Sequence, residues 1–172
     1  PLYAPQSKED SDIFNRFVLA GYDLVQTWKG FVYHMTSRGS RFKDGAMRNP
    51  AGQVFMKNRE SSEWLEQNLR STRNFVRKWG HMVKHDKMMY PIIPPKYDIG
   101  FVAYNCTKDL LRELEPWCST IYVESSIIDE YRNEEQKDTD FDLLDRIKPY
   151  DNEKSNNIIV EFDASKLDAN NF

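Results

Sequence analysis

The 172-residue sequence is poor in the residues that build disulfide and metal frameworks, with two cysteines and three histidines. Cys106 and Cys118 fit neither a disulfide framework nor a metal-ligand spacing, so we expect reduced thiols and a cytoplasmic location. The sequence also lacks any run of 18 apolar residues, which excludes a helix of bilayer-spanning length. What remains is a chain with 40% hydrophobic and 13% aromatic residues, a composition typical of a folded globular protein.

The net charge of −3 conceals an uneven distribution along the chain. Residues 1–90 carry 15 Lys and Arg against 9 Asp and Glu, a balance of +6, whereas residues 91–172 carry 9 against 18, a balance of −9. A basic half suggests an anionic ligand such as a nucleotide or a nucleic acid. The alternative is that the two halves present solvated faces of unequal sign.

The start of the chain predicts a helix followed by two strands. Ser7 is a candidate N-cap, acidic residues fill the first turn, and apolar residues at helical spacing lead to Gly21, which we expect to end the helix. The β-rich segments 22–28 and 31–36 predict strands separated by a short turn.

A loop, a second helical region and a connector complete the first half. Residues 37–58, rich in glycine and charge, predict a long irregular loop of the kind that carries function. Residues 60–80 predict one or two helices that stop at Gly80. Three prolines within 88–97 predict a stiff extended connector and a domain boundary near residue 90.

The second half alternates strand and helix patterns. Strands are predicted at 97–105, 119–126 and 157–165, and helices at 107–117, 127–136 and 140–147, with Thr107 as an N-cap. This β-α-β-α-β order predicts a small α/β unit with parallel strands over 91–172. No closing element follows the last strand, so we expect a truncated unit.

Two groups near the start carry candidate chemistry. Glu9 and Asp10 stand at a helix start, where a carboxylate can act as a general base or can simply complement the helix dipole. His34 follows a strand pattern beside the glycine-rich loop. Its imidazole can bind a divalent metal, but one ligand does not make a site, and the alternative is a half-buried or surface histidine.

Two basic clusters also permit a functional and a simpler interpretation. The loop sequence TSRGSR offers hydroxyl, guanidinium and backbone N–H donors that suit a diphosphate. These donors belong to Ser37, Arg38, Gly39, Ser40 and Arg41. The alternative is that the segment is a solvated basic loop. A basic stripe at helical spacing consists of Arg70, Arg73, Arg77 and Lys78. It could line the path of a nucleotide or a nucleic acid. The alternative is that it is the solvent-exposed face of an amphipathic helix. His81 and His85 lack a third ligand, and we interpret them as surface residues.

The order of these features resembles the acceptor-side half of family-2 glycosyltransferases with the GT-A fold, including bacterial and phage members. The resemblance rests on the segment EDSDIFNRFVLAGYDLVQTWKGFVYHMTSRGSRF and on the later NFVRKWG, and it covers about the first 80 residues. It implies that Asp10, with Glu9 beside it, deprotonates an acceptor hydroxyl. It further implies that His34 is a metal ligand and that Ser37 to Arg41 contact the diphosphate of a nucleotide-sugar donor.

One departure from the family pattern shapes these expectations. In the family, nucleotide-binding strands and an Asp-x-Asp motif that binds Mn or Mg should precede the ED helix, and this sequence has nothing at that place. The run DTDFD at 138–142 looks like such an acidic metal motif, but it lies between helical candidates and we interpret it as a helix N-cap region. We therefore expect an α/β protein with a partial GT-A segment over 1–90 and a small α/β unit over 91–172. The chain alone should be inactive and should bind metal poorly or not at all.

Two other functions compete with sugar transfer. The first is a nucleic-acid-binding module that uses the basic half, although no recognisable motif for such binding occurs. The second is a non-enzymatic assembly protein whose α/β unit docks a partner, and self-association into a homo-oligomer is left open.

Overall fold

The computed structural model describes residues 2–4, 7–30, 40–41, 47–48, 54–56 and 62–168. The helices in these ranges are α1 (Glu9–Leu19), α2 (Ser62–Trp79), α3 (Lys108–Leu114), α4 (Ser125–Glu135) and α5 (Leu143–Arg146). The strands are β1 (Ser40–Arg41), β2 (Met47–Arg48), β3 (Val54–Met56), β4 (Ile99–Tyr104), β5 (Thr120–Val123), β6 (Ile147–Pro149) and β7 (Ile158–Asp163). No helix within these residues is long and apolar enough to cross a membrane.

Four parallel strands form the central sheet of the second half, in the order β6-β5-β4-β7. The first three strands step in one direction through α3 and α4, and β7 then adds on the far side of β4. One face of the sheet packs against these helices around a buried apolar core that includes Leu111, Ile121, Val123, Tyr131 and Leu143. The prediction of a parallel α/β unit is therefore confirmed.

Side-chain caps mark the starts of two helices in this half, and the predicted cap at Thr107 is confirmed. Thr107 caps α3 by accepting a hydrogen bond from the Leu110 N–H, and Asp142 caps α5 through the Leu144 N–H. The sequence pattern missed β6, because this strand has three residues and continues directly from α5. A period of two cannot be recognised in so short a segment.

The connection from β6 to β7 runs through residues 150–157 and is fixed by side-chain hydrogen bonds. Tyr150 donates its hydroxyl to the Ala103 carbonyl at 2.9 Å, and Asn156 donates to Asp98 at 2.7 Å. The Tyr122 hydroxyl is 3.2 Å from both the Glu153 carbonyl and the Asn156 side-chain oxygen. The connection therefore depends on polar contacts with β4, β5 and the residues that flank them.

Helix α1 ends as predicted but does not begin as predicted. Gly21 has a φ of +81°, its N–H reaches the Val18 carbonyl, and the next N–H, of Tyr22, reaches the Phe17 carbonyl. These two bonds are the Schellman arrangement that closes a helix at a left-handed residue. The prediction that Ser7 is the N-cap was wrong: Lys8 occupies that position with a φ of 75° and makes no side-chain cap.

The predicted strand at 22–28 is also wrong. Residues 22–27 form no regular element, and Trp28–Gly30 form a 3₁₀ turn closed by the Gly30 N–H on the Thr27 carbonyl. β-propensity depends on cross-strand packing, and within the described chain this segment has no strand beside it. The predicted strand at 31–36 lies outside the described residues.

Short strands replace part of the loop that was predicted over 37–58. β1 pairs antiparallel with β2, and β2 pairs antiparallel with β3 through an irregular register. The glycine and charge content of the segment concealed these strands, because two or three residues carry too little alternation to be recognised.

Helix α2 is a single helix of 18 residues that stops at the predicted position. Gly80 has a φ of +77°, a conformation that favours glycine, and its N–H closes on the Val76 carbonyl. The Lys96 ammonium group donates to the Arg77 carbonyl at 2.5 Å, which places a cation near the negative end of the helix. The domain boundary near residue 90 stays a prediction.

Replacement of Gly100 by alanine tests how tightly the 150–157 connection packs on β4. A methyl group there would lie 2.9 Å from Ile159 Cδ1 and closer still to the Asn156 side-chain oxygen. We expect Gly100→Ala to lower the free energy of unfolding by about 1–3 kcal/mol, as overpacking does. Urea denaturation provides the measurement.

The matched control is Gly30→Ala, where the added methyl would meet Thr27 Cγ2 at the ordinary distance of 3.6 Å and no other described atom within 4 Å. This control should change stability by no more than about 0.5 kcal/mol. Equal effects of the two substitutions would show that the connection yields easily and does not fix β4.

Candidate active site

Glu9 and Asp10 occupy the first turn of α1 and are exposed to solvent. Neither carboxylate makes a hydrogen bond or an ion pair with another described side chain. The two groups are thus available to a substrate hydroxyl, as a general base must be. Their position in the first turn is also the one that complements the helix dipole.

The rest of α1 is arranged with polar residues inside and apolar residues outside. Asp12 and Asn15 are buried, whereas Ile13, Phe14 and Phe17 are each more than 40% exposed. Because Asp10 precedes these three residues by three, four and seven positions, they extend from it along one side of the helix. The candidate base therefore stands at the end of an exposed apolar stripe.

Asp12 fixes α1 to the end of α2. Its carboxylate accepts hydrogen bonds from the Trp79 indole N–H at 2.8 Å and the Tyr3 hydroxyl at 3.1 Å, and it pairs with the Lys78 ammonium group at 2.6 Å. Burial, together with the charge of Asp12, raises the pKa of Tyr3 well above its usual value. Three donors on one buried carboxylate hold α1 in one orientation and leave Glu9 and Asp10 on its free side.

Of the candidate diphosphate and metal residues, the structure describes Ser40 and Arg41. His34, Ser37, Arg38 and Gly39 lie outside the described residues. Ser40 and Arg41 form β1, which gives the backbone of the loop's end an antiparallel partner in β2. The described part of the chain contains no group of three or more His, Cys, Asp and Glu side chains that could hold a metal ion.

The basic stripe of α2 has an arrangement that neither sequence interpretation anticipated. Arg73 is 8% exposed and Arg77 is 0% exposed, so they form neither a wet helix face nor an open nucleic-acid surface. Arg73 reaches Glu135 at 2.8 and 3.0 Å. Arg77 reaches Glu115 at 2.6 Å and Glu135 at 2.7 Å.

Further groups complete this buried ion cluster, which consists of Arg73, Arg77, Glu115, Tyr131, Glu135 and Arg146. Arg146 bonds to the Glu115 carboxylate and also donates to the Glu115 and Cys118 carbonyls at 2.8 and 2.7 Å. Burial alone would raise the pKa of Glu115, but the charges of Arg77 and Arg146 outweigh it and hold that pKa below its usual value. Glu115 is therefore a structural anion.

The remaining members of the stripe also have partners. Arg70 pairs with Asp138 at 2.9 Å and donates to the Ala4 carbonyl at 3.0 Å. Lys78 pairs with Asp12. Sequence reasoning missed the acidic partners because they are 38 to 68 positions away from the arginines. The available signal was the acidic excess of the second half, which matches the basic excess of the first.

The two cysteines do not supply a nucleophile. Burial raises the pKa of Cys106 to about 11 and that of Cys118 to about 12. Both thiols therefore stay protonated at neutral pH, and the thiolate is the reactive form.

Removal of Arg77 should severely destabilise the fold. Arg77→Met leaves Glu115 and Glu135 buried with fewer compensating charges, and loss of one partner from a buried pair costs about 3–5 kcal/mol. The control is Arg132→Met, which breaks an exposed pair with Asp129 and should change stability little. Equal effects of the two substitutions, measured by urea denaturation, would contradict a structural role for the cluster.

The depressed pKa of Glu115 also predicts a pH dependence. A carboxyl group whose folded-state pKa lies below its unfolded value of about 4.5 stabilises the fold fully above that pH. The stabilisation is lost as pH falls through the folded-state pKa. We expect urea denaturation between pH 7 and pH 3 to show stability falling in acid, with a shallower slope for Glu115→Gln. An unchanged slope would mean that Glu115 does not titrate differently in the two states.

Comparisons of the chain with protein-family models, curated proteins and solved structures find no match. The sequence resemblance and the geometry of α1 are thus the grounds for a functional assignment.

Proposed function

We propose that the chain belongs to a glycosyltransferase, in which residues 1–90 contribute the acceptor side of a GT-A-like catalytic domain. The reaction is transfer of a sugar from a nucleotide-diphosphate donor to a hydroxyl group. The observation that carries the proposal is the exposed pair of carboxylates, Glu9 and Asp10, in the first turn of a helix that Asp12 anchors to the end of α2; neither carboxylate bonds to another described side chain.

The chemistry requires a base at the acceptor. As the acceptor oxygen forms a bond to the anomeric carbon, the bond from that carbon to the donor phosphate breaks, and the nucleoside diphosphate leaves with the bonding electrons. Asp10 takes the hydroxyl proton in this step, which makes the acceptor a better nucleophile. Glu9 lies beside it in the first turn of the same helix.

The setting of Asp10 supports this role in two ways. The exposed apolar stripe of Ile13, Phe14 and Phe17 offers a surface for the apolar face of an acceptor. The anchoring of Asp12 by Trp79, Tyr3 and Lys78 holds the helix still, and fixed geometry is what a general base needs.

The assignment of donor and metal binding rests on the sequence resemblance. The resemblance gives the diphosphate to Ser37 through Arg41 and a Mn or Mg ligand to His34. Since the described residues contain no group that could hold such an ion, we assign no step to a metal.

The burial of Arg73 and Arg77 weakens the competing nucleic-acid proposal. Phosphate contacts need accessible cations, and both guanidinium groups are already bound to carboxylates inside the protein. Charge reversal at these positions would be expected to unfold the chain, whatever it binds.

Asp10→Asn provides the test of the proposed base. In the complete gene product, we expect kcat for sugar transfer to fall at least about 100-fold, because general-base catalysis contributes a factor of this size. The KM for the donor should change little. Transfer is measured with a panel of UDP- and GDP-sugars in the presence of Mn²⁺.

The control is Asp23→Asn, which removes an exposed carboxylate beyond the end of α1 and should leave kcat unchanged. Calorimetric titration of the complete gene product with UDP and with GDP, each with Mn²⁺, addresses the class of enzyme directly. Binding of neither nucleotide would sink the proposal.

A further inference from the structure

The two edges of the parallel sheet differ in how they are protected from pairing with another chain. β6 has three residues, Ile147, Lys148 and Pro149, and thus combines short length, a lysine and a proline. These features commonly prevent edge-to-edge association. β7 pairs with β4 over six residue pairs in regular register and contains no proline, glycine, lysine or arginine.

The first three residues of β7 are apolar and exposed, and they lie on both faces of the sheet. Ile158 and Val160 lie on the face that packs against α3 and α4, and they are 44% and 41% exposed. Ile159 lies on the opposite face and is 36% exposed. An edge strand adapted to solvent normally carries charge at such positions, so this edge is suited to a neighbouring strand.

The backbone of β7 offers the hydrogen-bonding groups that such a strand would need. The Ile158 N–H donates to the Asp98 carbonyl at 3.1 Å, which directs the groups of Ile158 toward β4. Because successive residues of a strand alternate in direction, Ile159 and Glu161 point their N–H and C=O groups toward the open edge. Within the described chain, β7 pairs with β4 alone.

The charges along β7 determine which strand fits. One row of side chains, Ile158, Val160 and Phe162, is apolar throughout. The other row runs from apolar Ile159 to acidic Glu161 and Asp163. Asp163 already accepts from the Asn105 amide at 3.0 Å and from the Ser165 hydroxyl at 2.7 Å. A complementary neighbour therefore has an apolar row and a second row that carries Lys or Arg beside Glu161.

We propose that the open edge of β7 binds an extended, basic segment of another protein as the fifth strand of the sheet. A second copy of this chain fits less well, because pairing β7 with itself places four carboxylates on one face of the joined strands. The net charge of −3 for the whole chain adds to that repulsion and favours a basic partner.

The binding experiment uses the full chain and a fluorescein-labelled peptide, KVKVVVKVK, whose sequence reads the same in both directions. The control peptide is EVEVVVEVE. We expect fluorescence anisotropy to show at least about tenfold tighter binding of the lysine peptide at low salt, with the preference shrinking as salt is added. Equal affinities for the two peptides would overturn the proposed charge match.

Two substitutions locate the site. Ile159→Pro removes an outward N–H and leaves the hydrogen bonds to β4 in place. Edge strands tolerate proline at such positions. The substitution should weaken peptide binding at least about tenfold. Ile159→Val keeps the N–H and should bind as the unmodified chain does. Undiminished binding by an Ile159→Pro variant with an unchanged thermal melt would overturn the proposal.

Glu161→Lys serves as the charge-swap variant and does not depend on the proline variant folding. It should reduce binding of the lysine peptide and improve binding of the glutamate peptide. Failure of this reversal would count against β7 as the site. Light scattering that shows self-association abolished by Ile159→Pro would instead assign the edge to a second copy and overturn the proposal of a basic partner.

Discussion

The buried pairing of Arg77 with Glu115 and Glu135 is the interaction on which the rest of the structure depends. A guanidinium group that is 0% exposed has lost its water and is stabilised only if carboxylates replace that water at hydrogen-bond distance. Glu115 follows α3 and Glu135 ends α4, so one side chain of α2 joins both helices of the parallel sheet. The orientation of α2 on this layer is fixed by charge geometry as well as by apolar packing.

The same cluster explains the uneven charge distribution of the sequence. The excess of positive charge in the first half and of negative charge in the second first suggested an anionic ligand. In the structure, Arg70, Arg73 and Arg77 of the basic half all pair with carboxylates of the acidic half. Part of the asymmetry is therefore internal complementarity between distant segments, which does not require a nucleic-acid partner.

Features that depend on a few neighbouring residues could be predicted from the sequence, whereas features that depend on distant contacts could not. Gly21, Gly80 and the Thr107 cap act within a few residues, and the structure has each where the pattern indicated it. The parallel sheet was recognisable because its strands alternate with helices of sufficient length. The strand predicted at 22–28 failed because a strand requires a neighbour, and propensity alone does not supply one.

The candidate site was harder to predict for a related physical reason. The pair of acids at a helix start was visible in the sequence, but the reason for its orientation was not. Asp12 is part of the same acidic run, yet it is buried by Tyr3, Lys78 and Trp79, and nothing in its local sequence distinguishes it from Asp10. Two of the three partners that distinguish Asp12 from Asp10, Lys78 and Trp79, lie more than sixty positions away along the chain.

The inverted polarity of α1 links this anchoring to the proposed chemistry. A helix that docks through Asp12 and Asn15 does not bury Ile13, Phe14 and Phe17, and this forgoes a favourable hydrophobic contribution. The carboxylate of Asp12 compensates for this, because it is met by two donors at the end of α2, Lys78 and Trp79, and by the Tyr3 hydroxyl. The helix therefore keeps both its apolar stripe and its first-turn carboxylates on the free side, where an acceptor with an apolar face and a hydroxyl group can meet both.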